Sequence, residues 1–262
     1  MLSDFEIITH RFPDRPDIRL YAIADVHFGA KEHLAREWSL FCANFLKDEN
    51  AYIILAGDLI NNGLKNSVTN VYEETVRPRE QKKIMTEMLT PLKGRILAAV
   101  TGNHERRSAK EADDDPTLDI MDKLGLEHLY RENLAIVKIQ MGNVRGDGKR
   151  CPTYTLAVTH GNAGGALTGA AVNKAERFGY VLDGVDALIV GHTHKPFTTD
   201  PVKIKVDTRL NKVTFTPFRV ISVSSWLAYG GYPVRKMLSP TANTRHIITL
   251  AGTKKEIRVE SY

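Results

Sequence analysis

What most constrains the fold is a unit repeated through the first two thirds of the chain: a short apolar run, a polar cluster, then a longer amphipathic stretch. The runs at 18–24, 52–56, 96–100 and 187–190 are of strand length, and the stretches at 32–46, 73–89, 117–124 and 169–181 have helical spacing. Strands joined by helices give an α/β fold. Segments 134–141, 154–159, 203–206, 213–223, 245–250 and 256–260 carry β-branched residues in partial alternation with no helix between them. They predict a second, more antiparallel sheet. The expectation is α/β: a two-sheet β-sandwich flanked by helices, read as a single domain over residues 1–262 because no linker, repeat or low-complexity tract interrupts it.

Composition narrows the setting. With 42% hydrophobic and 26% charged residues, the chain is neither disordered nor fibrous. It contains no apolar run near the roughly 18 residues that span a bilayer, and residues 1–10 lack a basic segment followed by an apolar one. Cys42 and Cys151 are too few for a disulfide framework. These features predict a soluble, cytoplasmic protein with no membrane partner. The net charge of +5 is a weak pointer to an anionic partner.

Chemistry is concentrated where the apolar runs end. Those ends read Asp25-Val26-His27, Gly57-Asp58, Gly102-Asn103-His104-Glu105 and Gly191-His192-Thr193-His194, and His160 follows a fifth run. In α/β sheets, ligands gather at the carboxyl ends of strands. Imidazole and carboxylate together are ligands for divalent transition metals. Asp25 and His27 stand two apart, as do His192 and His194, so in extended backbone each pair points one way. Two such pairs facing each other with Asp58 between them fit a dinuclear centre, with metals about 3.5–4 Å apart. Each motif alone has an ordinary reading. Gly-Asp is a common turn, and Asn103 is a plausible helix cap. All five in order after apolar runs are hard to reconcile with chance.

Taken together, Asp25-x-His27, Gly57-Asp58, Gly102-Asn103-His104-Glu105, His160-Gly161 and Gly191-His192-x-His194 resemble the calcineurin-like metallophosphoesterases over residues 18–196. The resemblance implies that Asp25, His27 and His194 hold one metal, that Asn103, His160 and His192 hold the other, and that Asp58 bridges them. It implies two divalent ions, Mn²⁺ first and Fe or Zn²⁺ as alternatives. It also implies hydrolysis of a phosphoester by a metal-bridging hydroxide, with His104 as general acid.

Protein phosphatases of this superfamily carry Asp and Arg after the Gly-Asp turn, where this chain has Asn61 and Asn62. The tight Gly-His-x-His pair is similar instead to the phosphodiesterase and nuclease branches, including members encoded by phages and prophages. A phosphodiester of nucleic acid or nucleotide origin, DNA or RNA included, is thus the first expectation for the substrate. A small-metabolite monoester and a non-catalytic metal-binding scaffold are the alternatives. Oligomeric state is left open by the sequence. Arg106 and Arg107 are candidate phosphate contacts, and Asn61 is a candidate partner of His104 or of substrate. The Gly-rich stretch 160–165 reads equally as a phosphate loop or a plain turn. Trp226, Tyr229 and Tyr232 read as a base-stacking patch or, more simply, as a packed corner.

Overall fold

The computed structural model describes residues 4–65, 67, 71–142, 151–162 and 167–262. In chain order its elements are β1 (Ile7–Phe12), β2 (Asp17–Ile23), α1 (Ala35–Phe45), β3 (Ala51–Leu55), α2 (Pro78–Leu89), β4 (Ile96–Val100), α3 (Glu105–Ala112), α4 (Pro116–Lys123), β5 (Tyr130–Arg131), β6 (Ala135–Met141), β7 (Thr153–Thr159), α5 (Thr168–Val181), β8 (Ala187–Val190), β9 (Phe197–Thr199), β10 (Val202–Asp207), β11 (Lys212–Pro217), β12 (Arg219–Ser222), β13 (His246–Ala251) and β14 (Ile257–Ser261). They form two six-stranded sheets, ordered β14-β13-β2-β3-β4-β5 and β1-β6-β7-β8-β12-β9, and a separate ribbon β10-β11. Two mixed sheets flanked by helices agree with the expected fold class.

Period-two alternation shows how the second sheet is covered. Leu156 and Val158 of β7, Ile189 of β8 and Ile221 of β12 join the same buried cluster as Ile18, Leu20 and Ile53 of the first sheet. Their neighbours Ala157, Leu188, Val190 and Val220 turn to the other face and pack with Ala175 of α5. The sandwich core thus lies between the sheets, with α5 over the outer face of one. Trp38 and Phe45 of α1 and Met85 and Leu89 of α2 enter the main cluster from helices. Among the described residues, no helix is long and apolar enough to cross a membrane.

Several expectations about strand pairing are corrected. Residues 187–190 belong to the second sheet, where β8 runs parallel to both β7 and β12. Segments 245–250 and 256–260 belong to the first, because β13 pairs antiparallel with β2 and β14 with β13. That hairpin covers the edge of β2, whose Ile18 and Leu20 are fully buried. The expected strand at 213–223 is two strands. Pro217, which has no N–H for a ladder, ends β11 before β12 begins at Arg219. Residues 203–206 pair only with β11, outside both large sheets.

The aromatic reading resolves toward packing for Trp226, while Tyr229 and Tyr232 stay 51% and 37% exposed. Trp226 is buried, sits edge-on to Trp38 with ring centroids 4.9 Å apart, and has the Arg245 guanidinium 3.7 Å from its ring centroid. Its faces are therefore taken, and it offers no stacking surface to a base.

Candidate metal centre

Five strands deliver the site. Asp25 and His27 follow β2, Asp58 follows β3, Asn103 and His104 follow β4, His160 follows β7, and His192 and His194 follow β8. The first three strands belong to one sheet and the last two to the other, so the residues meet at the carboxyl-end rim of the sandwich. The backbone there is not extended as the spacing suggests. Asp25, His27, Asp58, His192 and His194 have φ of +54°, +47°, +53°, +69° and +55°. Left-handed turns, not the strand pleat, aim each Asp-x-His or His-x-His pair. Such residues cost on the order of 1–2 kcal/mol each, and neighbouring loops hold them in place. Asp25 N–H donates to Gly57 O and His27 N–H to Asp58 O, both at 3.0 Å, and His192 N–H donates to Asp25 Oδ2 at 2.9 Å.

The side chains converge in two groups. In the first, Asp25 Oδ1 lies 3.1 Å from His194 Nε2 and 3.8 Å from His27 Nε2, and the two imidazole nitrogens are 3.3 Å apart. In the second, His160 Nε2 lies 3.2 Å from Asp58 Oδ2 and 3.1 Å from Asn103 Oδ1, and His192 Nδ1 lies 2.5 Å from that amide oxygen. Asp58 Oδ2 is also 3.8 Å from His27 Nε2, which places this carboxylate between the groups. Asp25-His27-His194, Asp58-His160-His192 and His27-Asp58-His104 each bring their donor atoms close enough to hold a metal ion.

Three observations support that fit. Among the described residues, Asp25 Oδ1 is buried and receives no well-aligned hydrogen bond, its 3.1 Å contact with His194 Nε2 included. His27 and His194 turn nitrogens toward the same space beside it. His160 Nδ1 lies 2.8 Å from Ala56 O and donates to it, which leaves Nε2 facing the group, where loss of its proton frees a lone pair for an ion. The charges are strongly coupled. Burial raises the Asp58 carboxyl, but His160, His104 and His27 hold it well below the usual range. Burial lowers the His160 imidazole, yet Asp58 and Asp25 bring it up to about 10. Asp25, His27, Asp58 and His160 are buried, while Asn103, His104, His192 and His194 are partly open, so access is from their side.

His104 stands at the edge of this cluster, its ring edge-on to His27 at 4.3 Å between centroids and its Nε2 3.9 Å from Asp58 Oδ2. Its Nδ1 donates to the Asn61 carbonyl at 2.8 Å. Asn61 thus does bond His104, but through its backbone, because its side-chain amide donates to Glu74 Oε1 at 2.6 Å. Asn62 steadies the same residue from the other side, donating to His104 O at 2.8 Å and to Ser108 Oγ at 2.6 Å. Burial, only partly opposed by Asp58, brings the His104 imidazole down to about 3. Arg107 Nη1 donates to the same Asn61 carbonyl at 3.2 Å. Arg106 Nη2 donates to Asn133 Oδ1 at 2.7 Å and Glu132 O at 3.1 Å. Of the Gly-rich stretch 160–165, residues 163–165 lie outside the described residues.

The motif Gly-Asn-His-Glu contains a further functional residue that the sequence reading left without a role. The buried Glu105 carboxylate accepts four backbone N–H groups: Asp58 at 3.0 Å, Leu59 at 2.6 Å, Ile60 at 3.1 Å and Gly102 at 3.2 Å. It clamps the loop bearing Asp58 onto the loop bearing Asn103 and His104. Burial and the neighbouring Asp58 push this carboxyl up to about 8, against the four amides, which favour its charged form. Gly102 makes the contact close enough, since a Cβ there would lie 2.1 Å from Asp58 N and Oδ1. The available signal was the Glu itself: a carboxylate inside a run of site residues demands donors if it is buried.

The sequence pattern of the calcineurin-like phosphoesterase family matches residues 18–196. No curated protein matches the chain. Among solved structures, a metallophosphoesterase from Sphaerobacter thermophilus is similar at 15% identity, with 94% of this chain and 88% of that chain covered and a TM-score of 0.39. The nuclease MPE of Pseudomonas putida is similar at 15% identity, covering 93% and 87%, with a TM-score of 0.35. Vps29 of Entamoeba histolytica, solved with zinc, is similar at 12% identity, covering 94% and 98%, with a TM-score of 0.39.

Proposed function

The chain belongs to the calcineurin-like phosphoesterase family, and from that premise we propose that it is a dinuclear metal-dependent phosphodiesterase acting on nucleic acid or a nucleotide-derived diester. The observation that carries this reading is the convergence of Asp25, His27 and His194, and of Asn103, His160 and His192, with Asp58 between them and His104 Nε2 3.9 Å from Asp58 Oδ2. Asp25, His27 and His194 would hold one ion and Asn103, His160 and His192 the other, with Asp58 as the carboxylate they would share. Mn²⁺ is the first candidate for both. Bound there, two divalent cations supply neutralisation of the phosphate charge and a water acidic enough to attack near neutral pH.

The chain's own residues supply the rest. Asn103 contributes a neutral amide and the histidines neutral imidazoles, so the donor set leaves the centre net positive toward an anionic ester. Asn61 O fixes the proton of His104 on Nδ1, which leaves Nε2 to serve the leaving oxygen. An anionic phosphate beside that ring favours the imidazolium, the form that donates a proton to a departing alkoxide. Asn61 and Asn62, in place of the Asp and Arg of protein phosphatases, favour the diesterase branch.

The test uses metal-stripped protein reloaded with Mn²⁺ and assayed on bis-p-nitrophenyl phosphate, p-nitrophenyl phosphate and single-stranded DNA. Metal-dependent cleavage of the diester and of DNA, with DNA cleavage lost in His104→Ala, is expected. Turnover of the monoester alone overturns the diester reading, and silence on all three with two ions bound overturns the enzyme reading.

A further inference from the structure

A cleft of about 460 Å³ opens from one side of the candidate centre. Its inner end is formed by Asn103, His160 and His192, all from the second donor group. His104 packs on His27 and faces Asp58 instead, outside the cleft lining. Neither His104, His27 nor His194 lines the cleft among the described residues. A phosphate seated on the centre with its leaving oxygen toward His104 therefore directs another substituent into the cleft. A monoester has no such substituent and would leave this space without a ligand group.

The wall chemistry indicates what the substituent is. Phe178 of α5 and Phe197 of β9 line the cleft with Ala175, and Phe178 keeps 38% of its surface exposed although it sits on a helix that packs against the sheet. Arg106 and Asn133, bonded to each other at 2.7 Å, add hydrogen-bonding groups at the same wall. Two aromatic side chains among polar groups that include Lys174 suit a heteroaromatic ring on a sugar phosphate, and the volume falls in the range of small-molecule sites.

We propose that this cleft binds the nucleoside retained on the phosphate, so that hydrolysis releases the group facing His104 and leaves a nucleoside monophosphate end in the cleft. This rests on the diesterase reading. In the step, a water oxygen forms the new bond to phosphorus and the bond to the leaving oxygen breaks. That oxygen takes the Nε2 proton of His104 in its imidazolium form, the attacking water gives a proton to solvent, and His104 regains one from solvent, so the proton count closes.

The experiment holds the leaving group constant and varies only the retained one. Thymidine 5′-(p-nitrophenyl phosphate) and methyl p-nitrophenyl phosphate both release p-nitrophenolate. The Mn²⁺-loaded protein should prefer the thymidine ester by about tenfold or more in kcat/KM, the scale of one base stacked on an aromatic ring. Phe178→Ala should shrink that preference to under about threefold and Phe178→Trp should keep it. Calorimetry should show thymidine 5′-monophosphate binding more tightly than methyl phosphate, with the difference lost in Phe178→Ala. Equal kcat/KM for the two esters, unchanged by either variant, overturns the cleft assignment while the diesterase reading stands. Hydrolysis of p-nitrophenyl phosphate but of neither diester overturns both.

Discussion

The strands that end at the site and the ribbon β10-β11 follow the same two-residue alternation but differ in what covers it. In β7 and β8 both faces are covered, one by the opposite sheet and one by α5. In the ribbon, Ile204 pairs with Phe215 and Val206 with Val213, so four apolar side chains share one face. That face is open: Ile204, Val206, Val213 and Phe215 are 67%, 65%, 54% and 68% exposed. The other face carries Lys203, which donates to Leu182 O at the end of α5 and lies over the Phe218 ring. Alternation therefore identifies a strand without saying what its apolar face meets. In the sandwich it reports burial, and chemistry follows at the strand ends. In the ribbon it reports neither.

The sharpest way to break this contrast is at the strand ends, where the largest losses are expected. Asp58→Ala removes the carboxylate between the two donor groups and should cut phosphoester turnover by on the order of 10³-fold or more. Measured turnover within tenfold of the unaltered protein would remove Asp58 from the centre. His104→Ala should cost about 10²–10⁴-fold on DNA, whose alkoxide needs a proton. It should cost far less on bis-p-nitrophenyl phosphate, whose p-nitrophenolate departs unaided. Equal losses on both would mean that His104 binds or supports rather than donates. Metal binding offers a reading independent of turnover. Mn²⁺ at about a hundredfold over its dissociation constant should stabilise the fold by about 2.7 kcal/mol per site. Asn103→Ala or His192→Ala should reduce the resulting rise in Tm, as read by differential scanning calorimetry.

The contrast also explains what was legible in the sequence. Apolar runs bounded by turn residues exposed β2, β3, β4 and β8, and the His and Asp at their ends stood out because those side chains are costly to bury without a partner. Sheet membership did not show, since β8 and β13 have patterns that suit either sheet and only the connections decide. Helix α3 was signalled only by Asn103 as a candidate cap, where the structure has His104, and its extent did not show because ERRSAKEA buries just Glu105 and Ser108 and so lacks an apolar stripe. β5 is two residues long and carries no periodicity. The turn geometry at Asp25 and His192 was invisible for a different reason: left-handed φ is expected of Gly or Asn, and here Asp and His adopt it under the hold of adjacent loops. The orientation of His104 comes from a main-chain carbonyl, which every residue has, so only the fold reveals that Asn61 supplies it.

Glu105 tests whether the strand ends are rigid because of their packing or because of a clamp. Removing its carboxylate in Glu105→Ala leaves the amides of Asp58, Leu59, Ile60 and Gly102 without their acceptor in a buried place. A loss of about 3 kcal/mol or more is expected, with Tm falling by roughly 6–12 °C and activity falling as Asp58 shifts. Gly102→Ala should act in the same direction through the 2.1 Å approach to Asp58. If Glu105→Ala melts like the unaltered protein, the two loops are held by other bonds, such as that from His104 N–H to Asp58 Oδ1 at 2.8 Å.

The ribbon should give the smallest response. Ile204→Ser together with Phe215→Ser removes the largest apolar pair on its open face, yet both side chains are already mostly in water. Little transfer free energy is at stake, and surface changes of this kind stay within about 0.5 kcal/mol each. The loss of β propensity adds a few tenths at a paired position. The double variant should melt within about 2–4 °C of the unaltered chain and retain its phosphoesterase rate. A fall comparable to that of Glu105→Ala would mean that the open face is covered in solution, and that alternation reports burial in the ribbon as it does in the sandwich.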